Sequence, residues 1–108
     1  VRMYAVLLPD EVQVDRELQE KVVRSAHHSP SDYDFGGLNR RVSRFLDELG
    51  VQHVDLLPVF SNRAREERLY KVNDSHWNIA GNKLAAESIL SDMLAPGRLF
   101  STGRAVLD

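Results

Sequence analysis

The chain is short, close to neutral in charge and free of cysteine: its 108 residues are 43% hydrophobic and 28% charged, which is typical of one globular domain. With 14 basic against 16 acidic residues the net charge is −2, so the sequence gives no electrostatic footprint for nucleic acid or for an anionic membrane surface. The absence of cysteine excludes disulfides, cysteine-based zinc sites and a thiol nucleophile, and no apolar run approaches the roughly 20 residues of a membrane span.

The first half of the chain predicts a strand followed by a helix. Met3–Leu8 is a continuous apolar run stopped by Pro9, which is typical of a strand buried on both faces. Because a buried strand stands so near the first residue, we expect further chain upstream to cover it. Apolar residues then recur every fourth position from Asp15 to Ala26, which predicts an amphipathic helix. The polar stretch His27–Asp34 predicts a loop.

The second half predicts a helix, a second strand and a last helix. A helix is predicted over Gly37–Leu49, with Gly50 as its C-terminal stop. Val51–Phe60 predicts a second buried strand that ends at Pro58, and the charged run Ser61–Arg68 predicts an exposed segment. Ile79–Leu94 carries apolar residues at helical spacing and predicts the last long helix.

An order of strand, helices, strand and helix predicts an α/β fold, with a parallel sheet flanked by helices. Parallel neighbours require a long crossover connection, and the predicted helices supply it. In such sheets, functional sites collect outside the carboxyl ends of the strands. The stretch "NDSHWN", residues 73 to 78, follows the second strand and precedes a helix. We therefore expect it to reach that end of the sheet.

Several residues of this stretch are suited to a chemical or structural role. A histidine that acts as a general base needs one ring nitrogen free and the other held by an acceptor. In an extended segment, residues two apart point to the same side, so Asp74 and His76 can meet through a hydrogen bond. Trp77 then points to the opposite side, into the body of the domain. Asn78 is suited to cap the helix that follows.

Tyr70–Glu87 resembles the last sequence block of the SGNH (GDSL-like) hydrolase superfamily, in the branch that reads D-x-H-W-N-x-x-G before a helix of small residues. The upstream "VQHVDLLPVF" and "MYAVLLPDEVQVD" resemble the strand before that block and the strand and loop one crossover earlier. The resemblance implies a flavodoxin-like SGNH hydrolase fold. It also implies that residues 1 to 108 are a single α/β domain, the C-terminal part of a larger SGNH domain.

The resemblance implies a serine esterase or O-acyl transferase in which Asp74 and His76 are catalytic. The serine nucleophile and the oxyanion-hole glycine and asparagine come from earlier blocks in that family, so we expect the serine upstream and the isolated chain to be inactive. The substrate is then an acyl ester, for which a carbohydrate is one possible carrier. No cofactor or metal is implied. The common form of the block has two residues between Asp and His, which leaves Asn73 as the alternative to Asp74; we favour Asp74, because a carboxylate stabilises imidazolium and an amide does not.

Structural interpretations stand beside these functional ones. Asp-x-His before a helix is also the pattern of a loop that begins a capped helix, so a non-catalytic α/β binding or assembly domain is the alternative function. The pair His27-His28 lacks a third metal ligand at a recognisable spacing and predicts solvated loop histidines. His53 predicts a hydrogen-bonded structural residue. Asp55 is either a satisfied polar group at the end of the sheet, which we favour, or part of the site lining. The sequence leaves the cellular compartment open; it also leaves open whether an upstream half or self-association covers the apolar surface.

Overall fold

The computed structural model describes residues 2 to 98 of the chain. Two strands and five α-helices make up this part, and a 3-10 turn at Pro30–Asp32 interrupts the loop between the second and third helices. In chain order the elements are β1 (Tyr4–Leu7), α1 (Glu11–Val14), α2 (Arg16–Ser25), α3 (Gly37–Glu48), β2 (Gln52–Asp55), α4 (Leu57–Arg63) and α5 (Ile79–Leu94).

The two strands form a parallel sheet, which confirms the predicted α/β fold class. Tyr4 pairs with Gln52 and Leu7 pairs with Asp55, so both strands end at the same edge. The crossover between them contains α1, α2 and α3, as a parallel connection requires. The helices predicted near α2, α3 and α5 are confirmed, with ends that differ by only a residue or two. The last ten residues, 99 to 108, lie outside the described part.

The short helix α1 was not predicted, although the sequence contains its start signal. The Asp10 side chain accepts a hydrogen bond from the backbone N–H of Val12, and the Gln13 side chain accepts one from the backbone N–H of Asp10 at 2.9 Å. This reciprocal pair is a capping box, which satisfies N–H groups that a helix start leaves free. Asp15 then ends α1 and caps α2 through the N–H of Leu18.

The prediction of one strand over Val51–Phe60 is wrong beyond Asp55. The strand ends there because the Asp55 side chain accepts from the N–H of Leu57 at 3.0 Å and so starts helix α4. Pro58 stands in the first turn of that helix, where a missing N–H and a fixed φ do no harm. The apolar run therefore belongs to a buried helix in its second half. α4 extends to Arg63, and the charged residues 65 to 68 beyond it are exposed, as predicted.

The core lies between the sheet and helices α1, α4 and α5. Its fully buried residues include Leu56, Phe60 and Leu69. The strands themselves are only half-buried, and Met3 and Leu8 at the two ends of the first apolar run are 67% and 62% exposed. Residues 2 to 98 by themselves therefore leave the strands partly open, and the expectation that further chain covers them stays a prediction. Within this same part, none of the helices has the length and apolar character to span a bilayer.

Candidate functional site

The NDSHWN stretch forms the tip and one arm of a small antiparallel hairpin. Tyr70 pairs with Trp77 in a bridge, the N–H of Lys71 donates to the carbonyl of His76 at 2.9 Å, and the N–H of Asn78 donates to the carbonyl of Leu69 at 2.9 Å. Both arms of the loop are thus fixed to each other by backbone hydrogen bonds. We call residues 69 to 78 the dyad hairpin.

Asp74 and His76 meet at the tip of the dyad hairpin. The carboxylate oxygen Oδ1 of Asp74 lies 2.5 Å from Nδ1 of the His76 ring and also accepts from the backbone N–H of His76 at 2.9 Å. Asn73 adopts a positive φ of 54°, which Asn tolerates well, and turns the chain so that the next residue faces the ring. The structure therefore brings Asp74, rather than Asn73, to the histidine.

The electrostatics of the pair fix which nitrogen carries a proton. The backbone N–H of His76, followed by its ring, holds the pKa of Asp74 below the usual value, so the carboxylate is ionised at neutral pH. An ionised carboxylate only accepts, so the proton of the neutral ring lies on Nδ1 and Nε2 keeps its lone pair. The His76 side chain is 82% exposed, so a proton donor can approach that second nitrogen.

The remaining residues of the block hold the hairpin against the core. Trp77 packs on the core cluster, with its ring centroid 5.1 Å from that of Phe60, as expected from its opposite side-chain direction. Asn78 caps α5 by accepting from the N–H of Gly81 at 2.9 Å, which confirms its predicted role. Its amide also donates to the carbonyl of Arg68 at 2.8 Å. A Cβ at Gly81 would lie 2.3 Å from the carbonyl oxygen of Leu69, so this close contact requires glycine.

The dyad hairpin lies at the carboxyl end of β1. The Tyr70 hydroxyl donates to the carbonyl of Pro9, two residues beyond the strand, at 2.8 Å. Burial, followed by Asp15, raises the pKa of Glu11; Asp74 is among the charges that raise it further, and Arg68 opposes the shift. Glu11 at the start of α1 is therefore close enough to Arg68 and Asp74 for their charges to affect its pKa. No role was assigned to Tyr70 from the sequence. The only sequence signal for one was its position just before the NDSHWN stretch.

A polar groove of about 970 Å³ begins beside this hairpin. Its walls come from α1 and the start of α2 on one side and from residues 61 to 70 on the other. Glu11, Arg68 and Tyr70 line it, and these residues also neighbour or belong to the dyad hairpin. Its size falls within the range of small-molecule and cofactor clefts. Both acidic and basic side chains line it.

The other candidate residues from the sequence are exposed or make structural contacts. Asp55 accepts from the Asn39 amide at 2.9 Å as well as from α4, so it is a satisfied polar group at the end of the sheet. His53 contacts the carbonyl of Val51 at 3.1 Å through Nδ1. His27 and His28 are exposed, and His28 contacts the Tyr33 hydroxyl. Among residues 2 to 98, no three acidic or histidine side chains are grouped as metal ligands.

No serine hydroxyl within residues 2 to 98 hydrogen-bonds to the His76 ring, whose side-chain partner there is Asp74. Ser75 is exposed and stands between the two members of the pair without bonding to either. Ser101 lies outside the described residues. The structure thus assembles an acceptor and a histidine, and the described residues place no nucleophile against them.

The sequence was compared with protein families, curated proteins and solved structures. Residues 1 to 104 match the family described as "SGNH hydrolase-like domain, acetyltransferase AlgX". No match was found among the curated proteins or among the solved structures. The matched residues include both strands, all five helices and the dyad hairpin. The chain therefore belongs to the SGNH hydrolase-like family of the acetyltransferase AlgX.

Proposed function

We propose that this chain contributes the Asp–His part of a serine-dependent acyl-transfer site, in an ester hydrolase or O-acyl transferase. The observation that carries the proposal is the contact between Asp74 Oδ1 and His76 Nδ1 at 2.5 Å on an otherwise exposed ring. Membership of an SGNH hydrolase-like family supports the reaction class. Catalytic histidines of this type need that arrangement, with one nitrogen held by a carboxylate and the other free.

In the proposed reaction, Nε2 of His76 takes the proton from a serine hydroxyl as the serine oxygen attacks the acyl carbonyl. The protonated ring then gives this proton to the leaving alcohol, and an acyl-serine remains. Water or a sugar hydroxyl next loses its proton to Nε2 and attacks the acyl-serine. The bond between the acyl carbon and the serine oxygen then breaks, and Nε2 returns the proton to that oxygen, which releases the product and restores the serine. Asp74 stabilises the imidazolium form that exists between these proton transfers.

The serine is proposed to come from a part of the complete protein other than residues 2 to 98, because no serine there bonds to His76. The family resemblance favours an upstream segment. A serine-directed phosphonate identifies the residue directly: the complete protein is labelled, digested and mapped by mass spectrometry. The mapped peptide also shows on which side of the dyad the serine stands in the sequence.

The second candidate is a non-catalytic α/β binding or assembly domain. It is favoured by the structural tasks that Trp77, Asn78 and Gly81 perform, because these would preserve the block without any reaction. The two functions differ in what His76 does. Its ring is exposed and makes no contact with the core, so it matters little for folding.

The experiment that separates them is His76→Ala in the complete protein, with Ser75→Ala as the matched control. For an acyl-transfer site, His76→Ala lowers the turnover of an activated ester by about four orders of magnitude, and its thermal unfolding midpoint stays near that of the parent. Ser75→Ala keeps full activity. Unchanged turnover in His76→Ala would remove the residue from the mechanism and support the non-catalytic function.

A further inference from the structure

The dyad hairpin is joined to the sheet through the Tyr70 side chain. Its own backbone bonds, between Lys71 and His76 and between Leu69 and Asn78, run from one arm to the other. Among hydrogen bonds of residues 2 to 98, the one that links this hairpin to the end of β1 runs from the Tyr70 hydroxyl to the carbonyl of Pro9, at 2.8 Å. This bond connects residues 61 positions apart.

Tyr70 connects this hydrogen bond to the residues beside His76. It is 4% exposed, its ring packs edge-on against Phe60 with centroids 6.3 Å apart, and its backbone pairs with Trp77, the neighbour of His76. Pro9 is buried as well. A hydroxyl that donates to a buried carbonyl is hard to replace, because water does not reach that carbonyl freely. The hydroxyl thus gives the hairpin a hydrogen bond to the carboxyl end of β1, in addition to the packing of Trp77 on the core.

We propose that Tyr70 is a positioning residue for the Asp74–His76 pair, whose hydroxyl fixes the dyad hairpin to the carboxyl end of β1. The proposal rests on the proposed function, since it concerns where the base stands relative to its nucleophile. Burial raises the pKa of Tyr70 to about 12, so the hydroxyl remains a donor throughout the pH range of activity. A displacement of a catalytic group by about 1 Å can cost roughly 100-fold in rate.

The test is Tyr70→Phe in the complete protein, which removes the hydroxyl and keeps the ring. The matched control is Tyr4→Phe, because the half-buried Tyr4 hydroxyl bonds Asp92 at the amino end of the same sheet, away from the hairpin. We expect Tyr70→Phe to lower kcat by about 10-fold to 100-fold with KM within twofold of the parent. Tyr4→Phe should keep both constants, even where it lowers the thermal unfolding midpoint by a similar amount.

A second readout does not require activity. Residual dipolar couplings of the backbone N–H groups of Lys71, His76 and Asn78 are measured by NMR in the parent, Tyr70→Phe and Tyr4→Phe, because they report how the hairpin is oriented relative to the sheet. Positioning predicts that Tyr70→Phe changes these couplings relative to those of the two strands, and that Tyr4→Phe does not. Unchanged couplings in Tyr70→Phe overturn the proposal, and so does an equal loss of kcat in both tyrosine variants. If the parent shows no acyl transfer, the proposed function fails and the positioning role fails with it, while the couplings still show whether the hydroxyl fixes the hairpin to the sheet.

Discussion

At the scale of single residues, one carboxylate oxygen of Asp74 holds His76 in two ways. It accepts from both the backbone N–H and the ring Nδ1 of the same residue, so the ring is oriented relative to its own backbone. This arrangement needs the left-handed turn at Asn73 and a spacing of two between acid and base. The orientation of the ring is therefore specified by four consecutive residues, before any packing against the rest of the domain.

The lowered pKa of Asp74 predicts a pH dependence of stability. Because the folded pKa lies below the unfolded value of about 3.9, the unfolded chain binds more protons in this range and stability falls as the pH decreases through it. The contribution is present above about pH 4 and is lost below the folded pKa. In denaturant unfolding, the difference in unfolding free energy between the parent and Asp74→Asn should be small at pH 6 and should shrink as the pH falls below about 4. A difference that grows on acidification would contradict this assignment.

At the scale of elements, the start of α5 and the dyad hairpin are built as one unit. Asn78 accepts from the first turn of the helix and donates to the carbonyl of Arg68 on the opposite arm, while Gly81 lets the helix approach that arm closely. Trp77 fills the space between them and the core. Packing and capping thus explain the spacing W-N-x-x-G, independently of the family resemblance.

Asn78→Ala should lower the free energy of unfolding by about 1 to 2 kcal/mol through loss of the helix cap, with a further loss from the freed Arg68 carbonyl. The matched control is Asn82→Ala, one turn later on the same helix, whose exposed amide only donates to the carbonyl of Asn78 at 3.0 Å. That control should stay within about 0.5 kcal/mol of the parent. Equal effects in urea unfolding would show that the cap is not the source of the loss.

Gly81→Ala should destabilise the fold by about 1 to 3 kcal/mol, because the new methyl group meets a backbone carbonyl that cannot turn aside. Gly37→Ala is the matched control in another helix. There the nearest neighbour is the exposed Asp34 side chain at 3.0 Å, which can move, so the change should stay within about 1 kcal/mol of neutral. Thermal unfolding of the two variants measures the difference, and a neutral Gly81→Ala would show that the helix shifts freely away from the hairpin.

The sequence predicted those elements whose signals are local. α3 and α5 have apolar periodicity, and Gly50 or Asn78 marks an end. The second strand was extended too far because "LLPVF" has the composition of a buried strand and also of a buried helix. What decides between them is the Asp55 side chain, which turns back to the N–H of Leu57. Periodicity carries no information about that bond.

For the candidate site, the local part was also the predictable part. The contact between Asp74 and His76, the inward Trp77 and the Asn78 cap were all predicted from a few neighbouring residues. The backbone that produces the contact differs from the prediction, because residues 74 to 76 bend around the hairpin tip after the left-handed Asn73 and are not extended. The anchoring of the hairpin by Tyr70 was not predictable, because its partner Pro9 is remote in sequence and offers only a backbone carbonyl. The catalytic role of the pair stays a prediction.

At the scale of the whole molecule, the described residues form a small sheet that leaves much apolar surface open. Both strands are half-buried along their length, although runs of this composition are usually covered on both faces. Large apolar side chains also lie exposed on two helices, such as Phe45 on α3 and Ile79 and Leu90 on α5. The open surface and the free side of the His76 ring both suit a further protein segment packed against this part of the fold.

Residues 1 to 108 purified alone should therefore hydrolyse an activated ester no faster than free imidazole at equal concentration, because the described residues place no serine against His76. A serine-directed phosphonate should leave them unlabelled, and the complete protein should react under the same conditions. Stoichiometric labelling of any serine in the isolated chain would overturn this and would direct attention to Ser75.

The hairpin also has a consequence for the order of folding. Its arms, its tip and the first turn of α5 are close in sequence, whereas β1 and β2 must close a long crossover before Leu7 reaches Asp55. Short loops cost less entropy to close and form on faster timescales than distant strand pairs. We therefore expect the hairpin, with its contact between Asp74 and His76, to form early in folding. The two strands then pair later, and the hairpin packs against their carboxyl end.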